Sequence, residues 1–115
     1  MNKGKFGETL AKNFLIKKGY KIIFENFRTK FSEIDLIAEK NNKLIFIEVK
    51  YRTNKNFGLA EESINFSKIE KISNAAKIFI NNFYRGKCKN FQIDVVAINN
   101  FDRLTINHYE NITGG

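Results

Sequence analysis

The chain has no proline and no tryptophan, one cysteine and one histidine. A lone cysteine, Cys88, cannot close an internal disulfide, which fits a reducing compartment and a cytoplasmic location. Cys88 sits in a Lys-rich connection with only His108 to serve as a base, so thiol catalysis is set aside. His108 falls on a terminal strand, where a surface position is expected rather than a ligand role. No apolar run approaches the ~20 residues that a membrane span needs. Met1 to Lys5 leads into a mixed polar helix, not an apolar signal segment. There is no internal repeat and no low-complexity tract. Neither helical segment sets Lys and Arg against an opposing Trp, Phe or Leu face, which argues against a membrane-surface role.

What is present describes a small basic globule. At 115 residues, the chain reads as a single domain over 1–115, with a mobile tail expected over 111–115. A hydrophobic fraction of 43% with 12 Phe supports a packed core. The net charge of +8, from 20 Lys and Arg against 12 Asp and Glu, points toward polyanions, nucleic acid first.

Periodicity divides the chain into seven elements. Phe6, Leu10 and Phe14 recur at helical spacing, widened by Ala11 and Leu15, and predict a helix over 5–18 that Gly19 ends. Tyr20 to Phe27 alternates as a strand, and two further strands follow over about 32–40 and 43–51. A polar loop from Arg52 to Leu59 ends in Phe57-Gly58. Ser67-Lys68-Ile69-Glu70 has the form of a capping box, and the helix it opens runs to about Tyr84, with Arg85-Gly86 as its stop and some helix starting earlier near Glu61. Phe91 to Ile98 and Leu104 to Tyr109 read as strands. The order is α-β-β-β-α-β-β, which predicts an α/β fold: a mixed sheet of about five strands with a helix on each face, the long helix crossing over to a parallel strand.

The second and third strands carry the chemistry. Asn41-Asn42 suits a tight turn between them. A hairpin centred there sets Asp35 opposite Glu48 and Glu33 opposite Lys50. Strict alternation gives one wholly apolar face, Ile34, Leu36 and Ala38 with Ile45, Ile47 and Val49. Glu33, Asp35 and Ile37 then share the other face with Phe46, Glu48 and Lys50. Like charges opposed across two strands, roughly 4.5–5.5 Å apart, are destabilising. A divalent cation between Asp35 and Glu48 would remove that penalty, since Mg²⁺ uses one or two carboxylates plus waters and phosphate oxygens. Lys50, two residues after Glu48, could orient an attacking water or stabilise phosphorane charge. An exposed network pairing Glu33 with Lys50 is the plainer reading, but it leaves Asp35 and Glu48 repelling each other.

At these residues the chain resembles the PD-(D/E)xK nuclease superfamily, and more closely the YraN-like family of small bacterial proteins. The resemblance is carried by Gly7-Glu8 with Ala11, Gly19-Tyr20, Asn26 with Arg28, Glu33-Ile34-Asp35-Leu36-Ile37-Ala38, Phe46-Ile47-Glu48-Val49-Lys50 with Arg52, Phe57-Gly58, Lys68, and Asp94-Val95-Val96. It departs at Ile34, in place of the motif's proline, at Ser32, where glycine is usual, and at Gln92-Ile93, where Arg-Phe is usual. The resemblance implies a restriction-endonuclease-like three-layer α-β-α core, similar to archaeal Holliday-junction resolvases. It implies that Asp35, Glu48 and Lys50 are catalytic, with Asp35, Glu48 and Glu8 at a Mg²⁺ site that Mn²⁺ would also fill. Without the resemblance, Glu8 reads first as a partner of its helix dipole.

The expected function is therefore a Mg²⁺-dependent endonuclease-like protein that binds and cleaves DNA, branched DNA by analogy with the resolvases, whose dimers suggest a homodimer. Arg28, Lys30, Arg52, Lys55 and Lys68 are the expected phosphate contacts. Asp94 is left outside the metal site, as a buried partner of a basic group or a strand-end residue. The alternatives are a non-catalytic nucleic-acid-binding module on the same fold and an RNA-processing nuclease.

Overall fold

The C-terminal end of the first helix is fixed by its own chemistry. The computed structural model describes residues 3–56, 58–84 and 90–113, so Phe57, the Arg85-Gly86 stop, Cys88 and the last two tail residues lie outside it. α1 spans Lys3–Lys17. Gly19 ends it at φ +92°, with Tyr20 N–H bonded to the Leu15 carbonyl and Gly19 N–H to that of Ile16, each at 3.0 Å. These bonds satisfy carbonyls that the last helical turn leaves open, and only glycine takes that φ without a Cβ penalty.

Five strands follow in sheet order β1-β2-β3-β4-β5: β1 Lys21–Arg28, β2 Glu33–Lys40, β3 Lys43–Arg52, β4 Phe91–Asn100 and β5 Leu104–Tyr109. β1, β2 and β3 form an antiparallel meander, β4 lies parallel to β3, and β5 returns antiparallel to β4. The β2–β3 turn has Asn41 at φ 53° and Asn42 at φ 61°, the left-handed pair that a two-residue hairpin favours. The register follows the expected centre: Lys40 faces Lys43 and Leu36 faces Ile47. α2, Phe66–Tyr84, carries the chain across to β4. A 3-10 turn, Ala60–Ser63, stands where earlier helix was expected. Asn65, not Ser67, caps α2, its Oδ1 accepting from Lys68 N–H at 2.8 Å.

The result is the α/β sandwich that the element order predicts, with one helix on each side of a mixed sheet. Ala11 and Leu15 of α1 pack on Leu36, Ala38, Ile45 and Ile47. Ile72, Ala76 and Phe79 of α2 pack on Ile37, Phe46 and Ile34. Ile34 corrects the strict two-face pattern, since it lies on the α2 side rather than with Leu36. The cause sits next door on β1. Asn26 takes φ 56°, and Phe24 and Phe27, three residues apart, both pack on Phe79. Alternation restarts at that point on β1 and at the facing Asp35 of β2.

The start of the tail is hydrogen-bonded to the sheet. Ile112 N–H donates to the Ile93 carbonyl at 2.9 Å and Asn111 N–H to Asp94 Oδ1 at 2.9 Å, so residues 111 and 112 are tied to β4. No helix among the described residues is long and apolar enough to cross a membrane.

Candidate functional site

Gly7 lets α1 approach the sheet closely. A Cβ there would stand 2.8 Å from the Tyr51 Cβ, so any larger residue would lift the helix off β3. The next residue, Glu8, is thereby held against the ends of β1 and β2. Its carboxylate, with those of Glu33 and Asp35, offers three oxygens all within 4.8 Å of one another. With its amide nitrogen turned to the acids, Asn26 donates to Glu33 Oε1 at 2.9 Å and to Glu8 Oε1 at 3.1 Å. The kink at Asn26 thus serves the site directly, because it puts the amide between two carboxylates that would otherwise repel.

The β2–β3 ladder stops at Leu36 and Ile47, one step short of Asp35 and Glu48. Asp35 fills the fork and accepts from Val49 N–H at 2.7 Å. It also shares a hydrogen bond with the Glu48 carboxyl. Burial first, then that bond and the charge of Glu48, push the Asp35 carboxyl up to about 8, against the opposing pull of Val49 N–H. Burial and the charges of Glu33, Glu25 and Glu48 likewise raise Glu8, with the Asn26 amide acting against them. Glu48 is 5% exposed and meets two lysines, Lys50 at 3.5 Å and Lys68 of α2 at 3.7 Å.

Two adjoining clefts meet at Gly4 and Glu8. One, of about 330 Å³, is lined by Asp35, Val49, Lys50, Arg52 and Ser63. The other, of about 350 Å³, is lined by Asn26, Arg28, Glu33 and Lys12. Asp35, Glu48, Lys50 and Glu8 therefore come together, and Arg52 lines the same cleft. Glu33 joins them instead of facing Lys50: it pairs with Arg28, its cross-strand neighbour, at 3.2 Å. Lys68 is a partner of Glu48, not a free surface cation. Lys30 lies over the Phe31 ring, 5.4 Å from its centroid, on the β1–β2 turn. Lys55 reaches away to Asp102, at 3.6 Å on the β4–β5 connection.

Sequence reasoning missed Glu33 and Asn26 as site residues. The visible signal was the Phe24–Phe27 spacing of three inside a strand, which marks a break in alternation. His108 also differs from expectation. Its side chain is 3% exposed, and its Nε2 meets the fully buried Asp94 at 2.8 Å while Lys18 Nζ meets its Nδ1 at 2.6 Å. Tyr20 O–H, Gln92 Nε2 and Asn111 N–H also donate to Asp94. Burial works to raise the Asp94 carboxyl, but the donors, His108 foremost, outweigh it and hold it below the usual range. Asp94 is thus the buried partner that the sequence allowed, tying β4 to the α1–β1 corner and to β5.

Residues 7–98 match the uncharacterised protein family UPF0102. The chain is 41% identical over 110 residues to a UPF0102 protein of Clostridium novyi (strain NT), covering 94% of this chain and 92% of that one. It is 48% identical over 97 residues to a UPF0102 protein of Sulfurihydrogenibium sp. (strain YO3AOP1), covering 84% and 83%. It is 44% identical over 108 residues to a UPF0102 protein of Thermodesulfovibrio yellowstonii, covering 94% and 92%.

Proposed function

The chain belongs to the UPF0102 family, also known as the YraN family, and on the geometry of its acid cleft we propose that it is a Mg²⁺-dependent endonuclease acting on DNA. One observation carries the reading: Glu8, Glu33 and Asp35 converge within 4.8 Å, with Glu48 bonded to Asp35, beside a lysine in a chain of charge +8. The donor set fits a hard cation. It is all carboxylate oxygen, and donor separations under 5 Å suit metal–oxygen bonds of about 2.0–2.6 Å. Glu8, Glu33 and Asp35, whose oxygens make up that close trio, would hold the ion, with Glu48, the buried neighbour of Asp35, a fourth donor from outside it. When bound, such an ion lowers the pKa of a coordinated water and neutralises charge on the phosphate.

The chain's own residues supply the rest. Lys50 stands at the cleft wall beside Glu48, where its ammonium would orient the attacking water and stabilise charge on the phosphoryl oxygens. Arg52 in the same cleft and Arg28 at its edge would position the phosphodiester backbone. Resemblance to the resolvases favours branched DNA, and Mn²⁺ should substitute for Mg²⁺.

A second reading, a non-catalytic nucleic-acid-binding module, draws on the Glu48 contacts. Lys50 and Lys68 already balance that carboxylate without a metal. One paired assay separates the two. Asp35→Ala and Glu48→Ala should each abolish Mg²⁺- or Mn²⁺-dependent cleavage of a panel of linear, flapped, four-way and RNA substrates, while binding persists. Lys50→Ala should slow cleavage yet keep the metal-dependent rise in melting temperature. A native protein that cleaves nothing on the panel, and whose melting temperature ignores both metals, sinks the enzymatic reading.

A further inference from the structure

Among the described residues, the acid-bearing end of the sheet exposes two aromatic rings, Phe31 and Phe66. β1 ends there, β2 begins there, and β3 ends there. The β1–β2 turn holds Phe31, 43% exposed, two residues before Glu33. That turn is tightly bonded. Thr29 Oγ1 accepts from Phe31 N–H at 3.0 Å and from Ser32 N–H at 3.2 Å, and Thr29 N–H donates to the Ser32 carbonyl at 2.9 Å. α2 begins at the same end, since Ser63 lines the acid cleft and Lys68 touches Glu48. Its first residue, Phe66, is 82% exposed and stands three residues before Ile69, in the helical row that continues to the buried Ile72.

A single exposed apolar side chain needs no explanation. Phe31 differs in lying under a cation and two residues before an acid of the cleft, and Phe66 stands two residues before Lys68, which touches Glu48. Lys30 lies over Phe31, and Arg28, whose side chain is largely exposed, precedes that ring by three residues. Aromatic rings beside basic side chains match a nucleic-acid strand with its bases turned out. The cations take phosphates, and the rings take the faces of bases that have left their stack. In a continuous duplex those faces are covered by neighbouring bases. The bonded Thr29–Ser32 turn holds the ring outward in advance, so little further ordering is needed on binding.

We propose that Phe31, with Phe66 at the start of α2, is a stacking platform for unpaired nucleobases that directs the acid cleft to single-stranded or branched nucleic acid over continuous duplex. The proposal rests on the nuclease reading above for what happens to the strand, but not for the stacking itself. The test is binding in EDTA to a single strand, a flapped duplex and a continuous duplex of one length, each with 2-aminopurine beside the label. The native protein should prefer the first two and quench 2-aminopurine in an unpaired position. Phe31→Leu should weaken binding to those two about tenfold, within the range for one base–aromatic stack. It should leave duplex affinity unchanged, and Phe31→Trp should keep the preference. Phe66→Leu should act in the same direction. Equal loss on all three substrates, or no loss, overturns the proposal. Native cleavage with Mn²⁺, measured in parallel, separates the two ideas. Cleavage without a selective Phe31 effect leaves the nuclease and removes the platform. A selective effect without cleavage does the reverse. No binding by the native protein removes both.

Discussion

Replacing Asp35 by Asn should stabilise the metal-free protein, and increasingly so as pH rises. The Asp35 carboxyl ordinarily titrates at 3.8 and is pushed up to about 8 by burial and by Glu48. A folded-state pKa above the unfolded one favours the fold fully below the unfolded value and loses that benefit as pH climbs through the folded value. Native stability in EDTA should therefore fall between about pH 4 and pH 8. The shift from 3.8 to about 8 sets a ceiling of about 5–6 kcal/mol, at 1.36 kcal/mol per unit. Water entering the cleft, and the freedom of Glu48 to turn to Lys50 and Lys68, bring the effect down to about 1–2 kcal/mol. Asparagine retains an acceptor for Val49 N–H and a donor for Glu48, so it loses only the charge. In a domain of this size, Asp35→Asn should melt about 4–10 °C above native at pH 8. The gap should close toward pH 4. Thermal melts of both proteins in EDTA across that range, repeated with Mg²⁺, provide the assay. Mg²⁺ should raise the native melting temperature more than that of the variant. A variant that tracks the native pH slope, or melts below it at pH 8, would refute the assignment of Asp35 as the repelled member of a carboxyl pair.

Two further substitutions probe the frame around the acids. Asn26→Gly keeps the left-handed backbone but removes the amide between Glu8 and Glu33. It should cost about 1 kcal/mol without metal and enlarge the melting shift on adding Mn²⁺, as measured by the same melts. Asp94→Ala leaves His108 and the Gln92 and Asn111 donors without this acceptor, while Tyr20 O–H keeps Glu110 at 3.2 Å. It should cost about 3–5 kcal/mol by urea unfolding at pH 7. Because the Asp94 carboxyl lies low, native stability from this source holds above about pH 4 and is lost only as pH falls below it.

Most of the frame could be read along the chain because local signals agreed with one another. Gly19 ended α1, Asn41-Asn42 fixed the hairpin, and the turn then dictated that Leu36 meet Ile47. That register points Asp35 toward Glu48 at the next step, where the ladder has ended and Asp35 bonds to Val49 N–H instead of pairing across the strands. What escaped depended on departures from ideal geometry. A strand read at period two assigns Glu33 to Lys50; the left-handed Asn26 resets the period and sends Glu33 to Glu8 and Arg28 instead. Lys68 could not be linked to Glu48 from sequence, since that contact depends on where α2 docks. His108 looked like a surface residue because β5 is an edge strand with mostly exposed side chains. Its burial comes from α1 and Tyr20 closing over it, ring to ring with Phe14 and Tyr20.

The strand order also has a kinetic side. Glu8, Glu33, Asp35, Glu48 and Lys50 all belong to α1 through β3, in which each strand pairs with the one just before it. β4 can pair with β3 only after the chain has closed the long excursion over 53–90. Short closures come first and cost less entropy, so the meander is expected to form ahead of the parallel pair. The opposed carboxyls then meet during the first folding event, at the closing β2–β3 hairpin, before β4 covers the flank of β3. Their repulsion bears on the barrier to folding as well as on the finished protein. Raising the pH should slow the appearance of the native sheet, and Asp35→Asn should speed it.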